Sequence, residues 1–358
     1  MSVYTSRERV IAAFERRIAD HPATDLRCTE EAWTALKKHF NVETNNDVLD
    51  ALNIDMRWLY LPYTGPAELS AATLFSEGTD YWGVKMVKAE NKYNTYFEIS
   101  HHPLANMKSI DEIESYSWPS LDWWDYSAVP RMIETFNKKE DRAIMFYAES
   151  VYETAWYMRG LENFLVDLYE NPEIVDCICT RIANYYYERI LRVIEAANGK
   201  IDIIGSGGDI GEQRCMLMSP AIWREKLKSY TMKLITPFKE MGFKTFYHSC
   251  GSLVPVIDDF IEAGLDVLDP IQVTAEGMNP EEIFPQFGDR LSFHGAIDVV
   301  ELLPHSSAEE VYRETTRMID ILGRNGGFIV APSHMVQGDT PIENVVVIYD
   351  AAKDHTVR

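Results

Sequence analysis

From position 143 onward, short apolar runs alternate with longer segments whose apolar residues recur every three or four positions. The runs are AIMFYAE (143–149), KIDIIGSGGD (200–209), FKTFYHSC (243–250), LDVLDP (265–270), LSFHGAID (291–298) and GFIVAPSH (327–334). Runs that are apolar throughout, with no polar alternation, predict strands buried on both faces. Between them, NPEIVDCICTRIANYYYERILRVIEAA (171–197) and SAEEVYRETTRMIDIL (307–322) carry helical spacing. TDLRCTE (24–30) and IDMRWLYLP (54–62) can supply two further strands. Eight parallel strands with intervening helices predict an α/β fold, the (β/α)8 TIM barrel, with an open doubly wound sheet as the competing topology.

Residues 63–140 break this rhythm. They are rich in aromatics, including YWGVK and WPSLDWWDY, and lack clear periodicity. This stretch is expected to be an insertion or lid packed against the barrel mouth, with Trp82, Trp118, Trp123 and Trp124 either closing over a flat ligand or packing as core. No glycine–serine linker divides the chain, so a single barrel domain is expected over residues 1–358.

Composition narrows the partners. Of the 358 residues, 46% are hydrophobic and 25% charged, enough for a large core. The net charge of −22 argues against nucleic acid and anionic membrane surfaces as partners. The opening MSVYTSRERVIAAFERR is a charged amphipathic helix rather than a secretory leader, and no run approaches a membrane span. Five cysteines without framework spacing read as reduced thiols in a cytoplasmic protein.

Candidate chemistry gathers where the runs end: Glu149, Asp209, His248 with Cys250, Asp269, His294 with Asp298, and His334. In a parallel barrel, catalytic groups collect at these C-terminal strand ends. His248 and Cys250 stand two apart on an extended stretch, so their side chains point the same way, about 7 Å apart. Imidazole and thiolate are preferred zinc donors, and a catalytic zinc takes three protein ligands and keeps one position open. His334, at the end of the last strand, is the expected third ligand. Asp209, Glu149 and His294 are the candidate catalytic residues.

Structural roles compete at each position. His294 can be a satisfied core histidine, Asp209 a helix cap, Asp269 before Pro270 a turn residue, and Glu149 a partner of Arg159 or another arginine. Cys177 and Cys179 fall in a helix and read as core, and His101-His102 as surface or lid. GSGGDIG does not fit a dinucleotide-binding glycine pattern, because Ile210 fills its sixth position.

YHSCGSLVPVIDDFIEAGLDVLDPIQ, FHGAIDVVELL, GGFIVAPSHMVQGDTPIENV, GGDIGEQRCMLMSPAIWRE and RGLENFL together resemble the uroporphyrinogen decarboxylase superfamily, a family of (β/α)8 barrels. The resemblance spans most of the chain and is weakest over residues 63–140. One branch implies a metal-free decarboxylase of a polycarboxylated tetrapyrrole, with an arginine-rich N-terminal segment. Here that segment reads DLRCTEEAW and DMRWLYLPYTG, without paired arginines, although His334 matches the decarboxylases' last-strand histidine.

The other branch, methyltransferases of corrinoid pathways, implies a zinc held at the positions of His248 and Cys250 and by a cysteine in the last-strand loop. That loop is Pro332-Ser333-His334-Met335, so His334 would stand in for the thiolate. The expectation is a zinc-dependent methyltransferase that moves a methyl group between a small substrate, such as a methoxylated aromatic, and cobalamin. No D-x-H-x-x-G cobalamin signature is present, so the corrinoid is expected on a separate corrinoid protein. A metal-independent decarboxylase and a non-catalytic corrinoid- or metal-binding protein are the alternatives.

Overall fold

The computed structural model describes residues 4–71, 76–90 and 95–355. Residues 1–3 of the N-terminal stretch, and 72–75 and 91–94 of the expected lid, lie outside it. Eight strands, β1 (Ala23–Thr24), β2 (Met56–Leu59), β3 (Ala143–Ser150), β4 (Ile203–Gly207), β5 (Lys244–His248), β6 (Val267–Ile271), β7 (Ser292–Ile297) and β8 (Phe328–Pro332), form one sheet. Its order is β1-β8-β7-β6-β5-β4-β3-β2, and every pairing is parallel. The sheet curls until β1 faces β2. There the Asp55 N–H reaches the Thr24 carbonyl at 3.2 Å, and the Thr24 N–H reaches Asp55 Oδ2 at 2.9 Å. The molecule is the (β/α)8 barrel that the runs predict, with the seam bridged partly by a side chain.

β4, β6, β7 and β8 are buried at every residue, which is why they read as unbroken apolar runs. Met56, Met145, Ile203, Phe246, Val267 and Ile329 fill the lower barrel interior. The N-terminal helix, Ser6–Phe14, closes that end with Val10, Ala13 and Phe14. Its start is fixed by Thr5 and Glu8, each side chain accepting the other's backbone N–H.

A helix over Pro172–Ala197, with proline in its first turn, covers the outside of the barrel. It buries Ile178, Cys179, Ile182, Tyr185, Tyr186 and Ile190 at helical spacing.

The 63–140 stretch holds a small antiparallel sheet of Gly78–Thr79, Lys85–Glu90 and Thr95–His101. Its Trp82 is 1% exposed and packs edge-on against Tyr185 and Tyr186 of the long helix, with centroids 5.0 and 5.6 Å away. Trp124 is also buried and donates its Nε1–H to Tyr185 Oη at 2.7 Å. Trp118 and Trp123 are partly buried against the same cluster. These side chains are core, continuous with the helix layer of the barrel. Trp82→Ala is therefore expected to cost about 3–5 kcal/mol in urea denaturation, the usual range for deleting a buried aromatic. A loss below about 1 kcal/mol would mean that the aromatic cluster does not hold this segment down.

Candidate metal centre

β5 delivers His248 to the mouth of the barrel, and the chain turns immediately after it. Gly251 has φ +88, and a Cβ there would lie 2.4 Å from the carbonyl carbon of Gly211. Only glycine lets the two loops touch. The Cys250 N–H is held by Asp209 Oδ1 at 2.8 Å, and the Gly251 N–H by Gln272 Oε1 at 2.8 Å. The thiol is thus fixed by the loops that follow β4 and β6.

β8 ends at Pro332, and His334 leans across the mouth from there. One ligand atom from each of His248, Cys250 and His334 lies within 4.8 Å of the others. Cys250 Sγ and His248 Nε2 are 3.7 Å apart. The three residues expected from the sequence to share a metal are brought together from strands that are not neighbours.

Beneath them lies Asp269, with no solvent exposure. Its Oδ2 accepts from His248 Nδ1 at 2.6 Å and from Arg27 Nη2 at 3.1 Å; its Oδ1 faces His294 Nδ1 at 2.6 Å. His294 Nε2 faces a second carboxylate, Asp25 Oδ2, at 3.1 Å. Arg27 lies flat over Trp58, 4.5 Å from the ring centre, and the Trp58 Nε1–H returns to Asp25 Oδ2 at 2.9 Å.

Charge follows from this geometry. Burial alone would raise the Asp269 carboxyl, but His294, Arg27 and His248 outweigh it and hold it well below the usual range. Burial opposes charge on both histidines, yet Asp269 lifts His248 well above its ordinary value, and Asp269 with Asp25 lifts His294 to about 9. His334 goes the other way, pushed down to about 4 by burial and by the His248 and Arg27 charges. The shift favours the neutral imidazole, the form that can donate to a metal. Burial raises the Cys250 thiol, partly offset by His248.

The donor set fits a zinc ion. Two imidazoles and a thiol are zinc ligands by type. The bond from His248 Nδ1 to Asp269 turns Nε2 toward the cluster, the carboxylate–histidine pairing that orients metal-ligating imidazoles.

The remaining expected residues fall in distinct places. Asp209 is no helix cap. The following helix, Pro220–Lys226, is capped by Ser219, and Asp209 instead lies 3.6 Å from His248 Nε2 while accepting from Cys250. Glu149 stands at a register shift in β3 with φ +74, a conformation costly for a non-glycine residue. It does not pair with Arg159, which binds Asp167 at 2.7 Å. Burial raises the Glu149 carboxyl against the pull of Arg189. His294 is 1% exposed, with both ring nitrogens taken by carboxylates. Asp298 accepts the N–H groups of Val300, Glu301 and Leu302 and so stabilises a turn. His102 bonds the Tyr157 carbonyl at 2.6 Å.

Arg27, Asp25 and Glu153 were not singled out by sequence; Asp269 was, as a strand-end acid with a turn role as its alternative. Asp269 had a readable signal, being an acid inside an otherwise apolar run, where burial without partners is prohibitive. A cavity of about 570 Å3 lies at the opposite end of the barrel, beside Arg7, Met241 and Lys244, away from these donors.

Comparisons with known proteins follow this geometry. The family model for uroporphyrinogen decarboxylase (URO-D) matches residues 86–355. No curated protein matches the chain. Among solved structures, a methyltransferase from Methanosarcina mazei is 17% identical, with a TM-score of 0.72 over 98% of this chain and 99% of its own. A xylose isomerase domain protein from Alicyclobacillus acidocaldarius is 12% identical, covering 70% of this chain and 96% of its own at a TM-score of 0.34. From the family match over three quarters of its length, the chain belongs to the uroporphyrinogen decarboxylase family.

Proposed function

We propose that the chain is a zinc-dependent methyltransferase that moves a methyl group between a small substrate and a corrinoid carried by a separate protein. The observation that carries this reading is the convergence of His248, Cys250 and His334 at the barrel mouth. Three protein donors are the number a catalytic zinc takes. The Methanosarcina mazei methyltransferase, with the same fold over nearly the whole chain, is in keeping with it. Bound by one thiolate and two imidazoles, zinc would act as a Lewis acid toward a substrate oxygen, which favours a methoxylated aromatic as the methyl donor.

The chain's own residues would prepare the site. Asp269 orients His248, and His294 acts on the site only through Asp269, as a positioning residue. Asp209 holds the Cys250 loop and faces the mouth. Glu149, at the end of β3, feels the charge of Arg189, which lies over the Trp124 ring at 4.8 Å. All five cysteines are free, in keeping with a reducing cytoplasm. Among the described residues, no helix is long and apolar enough to cross a membrane.

The test uses the purified protein with cob(I)alamin and a panel of methoxylated aromatics, methylated thiols and methylamines. In the reverse direction, methylcobalamin is offered to thiols and folate. Appearance or loss of the methylcobalamin spectrum, stopped by a zinc chelator, is the expected result. Free cofactor reacts slowly where the partner protein supplies positioning, so the decisive feature is dependence on zinc. No transfer with any donor or with a cognate corrinoid protein, together with chelator-insensitive CO2 release from uroporphyrinogen, would make the chain a decarboxylase.

A further inference from the structure

The helix that follows β3 begins at Ser150 with the sequence Ser150-Val151-Tyr152-Glu153, the pattern of a reciprocal cap. Three other helices in this protein complete that cap in both directions: Thr5 with Glu8, Thr44 with Asp47, and Ser307 with Glu310. Here only half forms. Ser150 Oγ accepts the Glu153 N–H at 3.0 Å, but the Glu153 carboxylate does not return to Ser150. It turns away and accepts the Tyr157 hydroxyl at 2.8 Å.

The carboxylate then faces the backbone N–H of Asp209, whose own Oδ1 lies 3.6 Å from His248 Nε2. Glu153 is thus withdrawn from a capping role its sequence fits and placed beside the candidate metal centre, partly open to solvent. The groups facing it are Asp209 after β4, Tyr147 on β3, Tyr247 and His248 on β5, and Tyr152 and Tyr157 on its own helix.

We propose that Glu153 is the residue that passes a proton to the substrate heteroatom as it loses its methyl group, a role that rests on the methyl-transfer reading above. The step balances with a reduced corrinoid as co-substrate. The carbon–heteroatom bond breaks and its electron pair stays on the heteroatom. The methyl carbon bonds to cobalt, which supplies the new bond's pair and is formally oxidised by two electrons. The heteroatom takes the proton of the Glu153 carboxylic acid, and the carboxylate recovers one from solvent through the mouth. Burial, and next the Asp209 charge, raise Glu153 to about 7, so that both forms are populated at neutral pH. Tyr157 opposes the rise by donating to the ionised form.

Infrared titration of the folded protein gives a readout independent of turnover. The difference spectrum, wild type minus Glu153→Gln, should lose a protonated-carboxyl band with a midpoint near neutral pH, while Asp80, which burial also raises to about 7, and Glu149 are common to both proteins and cancel; the variant should keep the wild-type zinc content. Tyr157→Phe, which leaves the carboxyl in place if Glu153→Gln does not fold, should move the midpoint upward. With the donor that the wild type turns over, Glu153→Gln should be slower by about 10²-fold or more and should lose the fall in rate above neutral pH. No such band in the difference spectrum, a midpoint unmoved by Tyr157→Phe, a variant that loses zinc, or an unchanged rate and pH profile would each overturn the assignment. If the wild type turns over nothing, the methyl-transfer reading fails, and the infrared titration still decides whether Glu153 holds an exchangeable proton.

Discussion

Replacing His248 and Cys250 together by alanine should take the protein from about one zinc per chain to none detectable, and methyl transfer should stop with it. Two of the three converging donors are then gone, and His334 alone cannot hold the ion. The fold should survive. Asp269 keeps His294 and Arg27 as partners, so no buried carboxylate is left bare. The lost bonds belong to the mouth, where truncation typically costs about 1–3 kcal/mol. Elemental analysis of tag-free protein, with denaturation curves on the same samples, checks both statements. Stoichiometric zinc in the double variant would place the metal elsewhere, and methyl transfer persisting without zinc would remove the metal from the reaction.

Asp269→Asn should be the most damaging single change at the centre. One buried carboxylate serves two imidazoles and a guanidinium, and an amide can neutralise none of them. Breaking a buried ionic group in this way costs about 3–5 kcal/mol. Loss of the His248 orienting bond should weaken zinc binding by about 10- to 100-fold.

The pH dependence of the zinc-free protein tests the same network. His294 is raised from 6.5 to about 9 in the folded state. Its contribution to stability is fully present below about pH 6.5 and is lost as pH rises through about 9. Asp269 is depressed, so its contribution is present above its ordinary 3.8 and is lost as pH falls toward its folded value. Urea denaturation across pH should show a plateau between these limits in the wild type and a flatter, lower profile in Asp269→Asn. Equal stability of the two proteins across that range would mean that the three cations do not depend on this carboxylate.

The sequence made the barrel visible because β4, β6, β7 and β8 are buried on both faces and must be apolar throughout. The apolar runs at β5 and β8 were read as longer than the strands, since they carry straight into the loops that hold Cys250 and His334. The convergence of these candidate donors was legible because spacing of two on an extended chain is a local property, and because strand ends in this fold share one mouth.

Asp269 stood among the strand-end candidates with a turn as its alternative, because Asp-Pro also marks turns and nothing local distinguishes a turn from a buried acid with three partners. An arginine partner for Glu149 was expected, Arg159 or another, and Arg159 is not the one. It is near in sequence, whereas the charge that faces Glu149 is Arg189, on the following long helix. The three-stranded sheet within 63–140 went unseen, because Lys85–Glu90 places Met86 and Val87, buried and half-buried, in succession beside a register shift and so lacks the strict alternation of a half-buried strand.

The three donors come from the end of β5 and from the loops after β5 and β8, with β6 and β7 between those strands in the sheet. An ion held there would act as a clasp across the chain from position 248 to position 334, closing a long loop without a covalent bond. Closing a loop of that length restricts the unfolded ensemble substantially. Metal occupancy would then report on assembly: only a molecule whose last strand has docked could present all three donors, and a partly folded barrel would be unable to load.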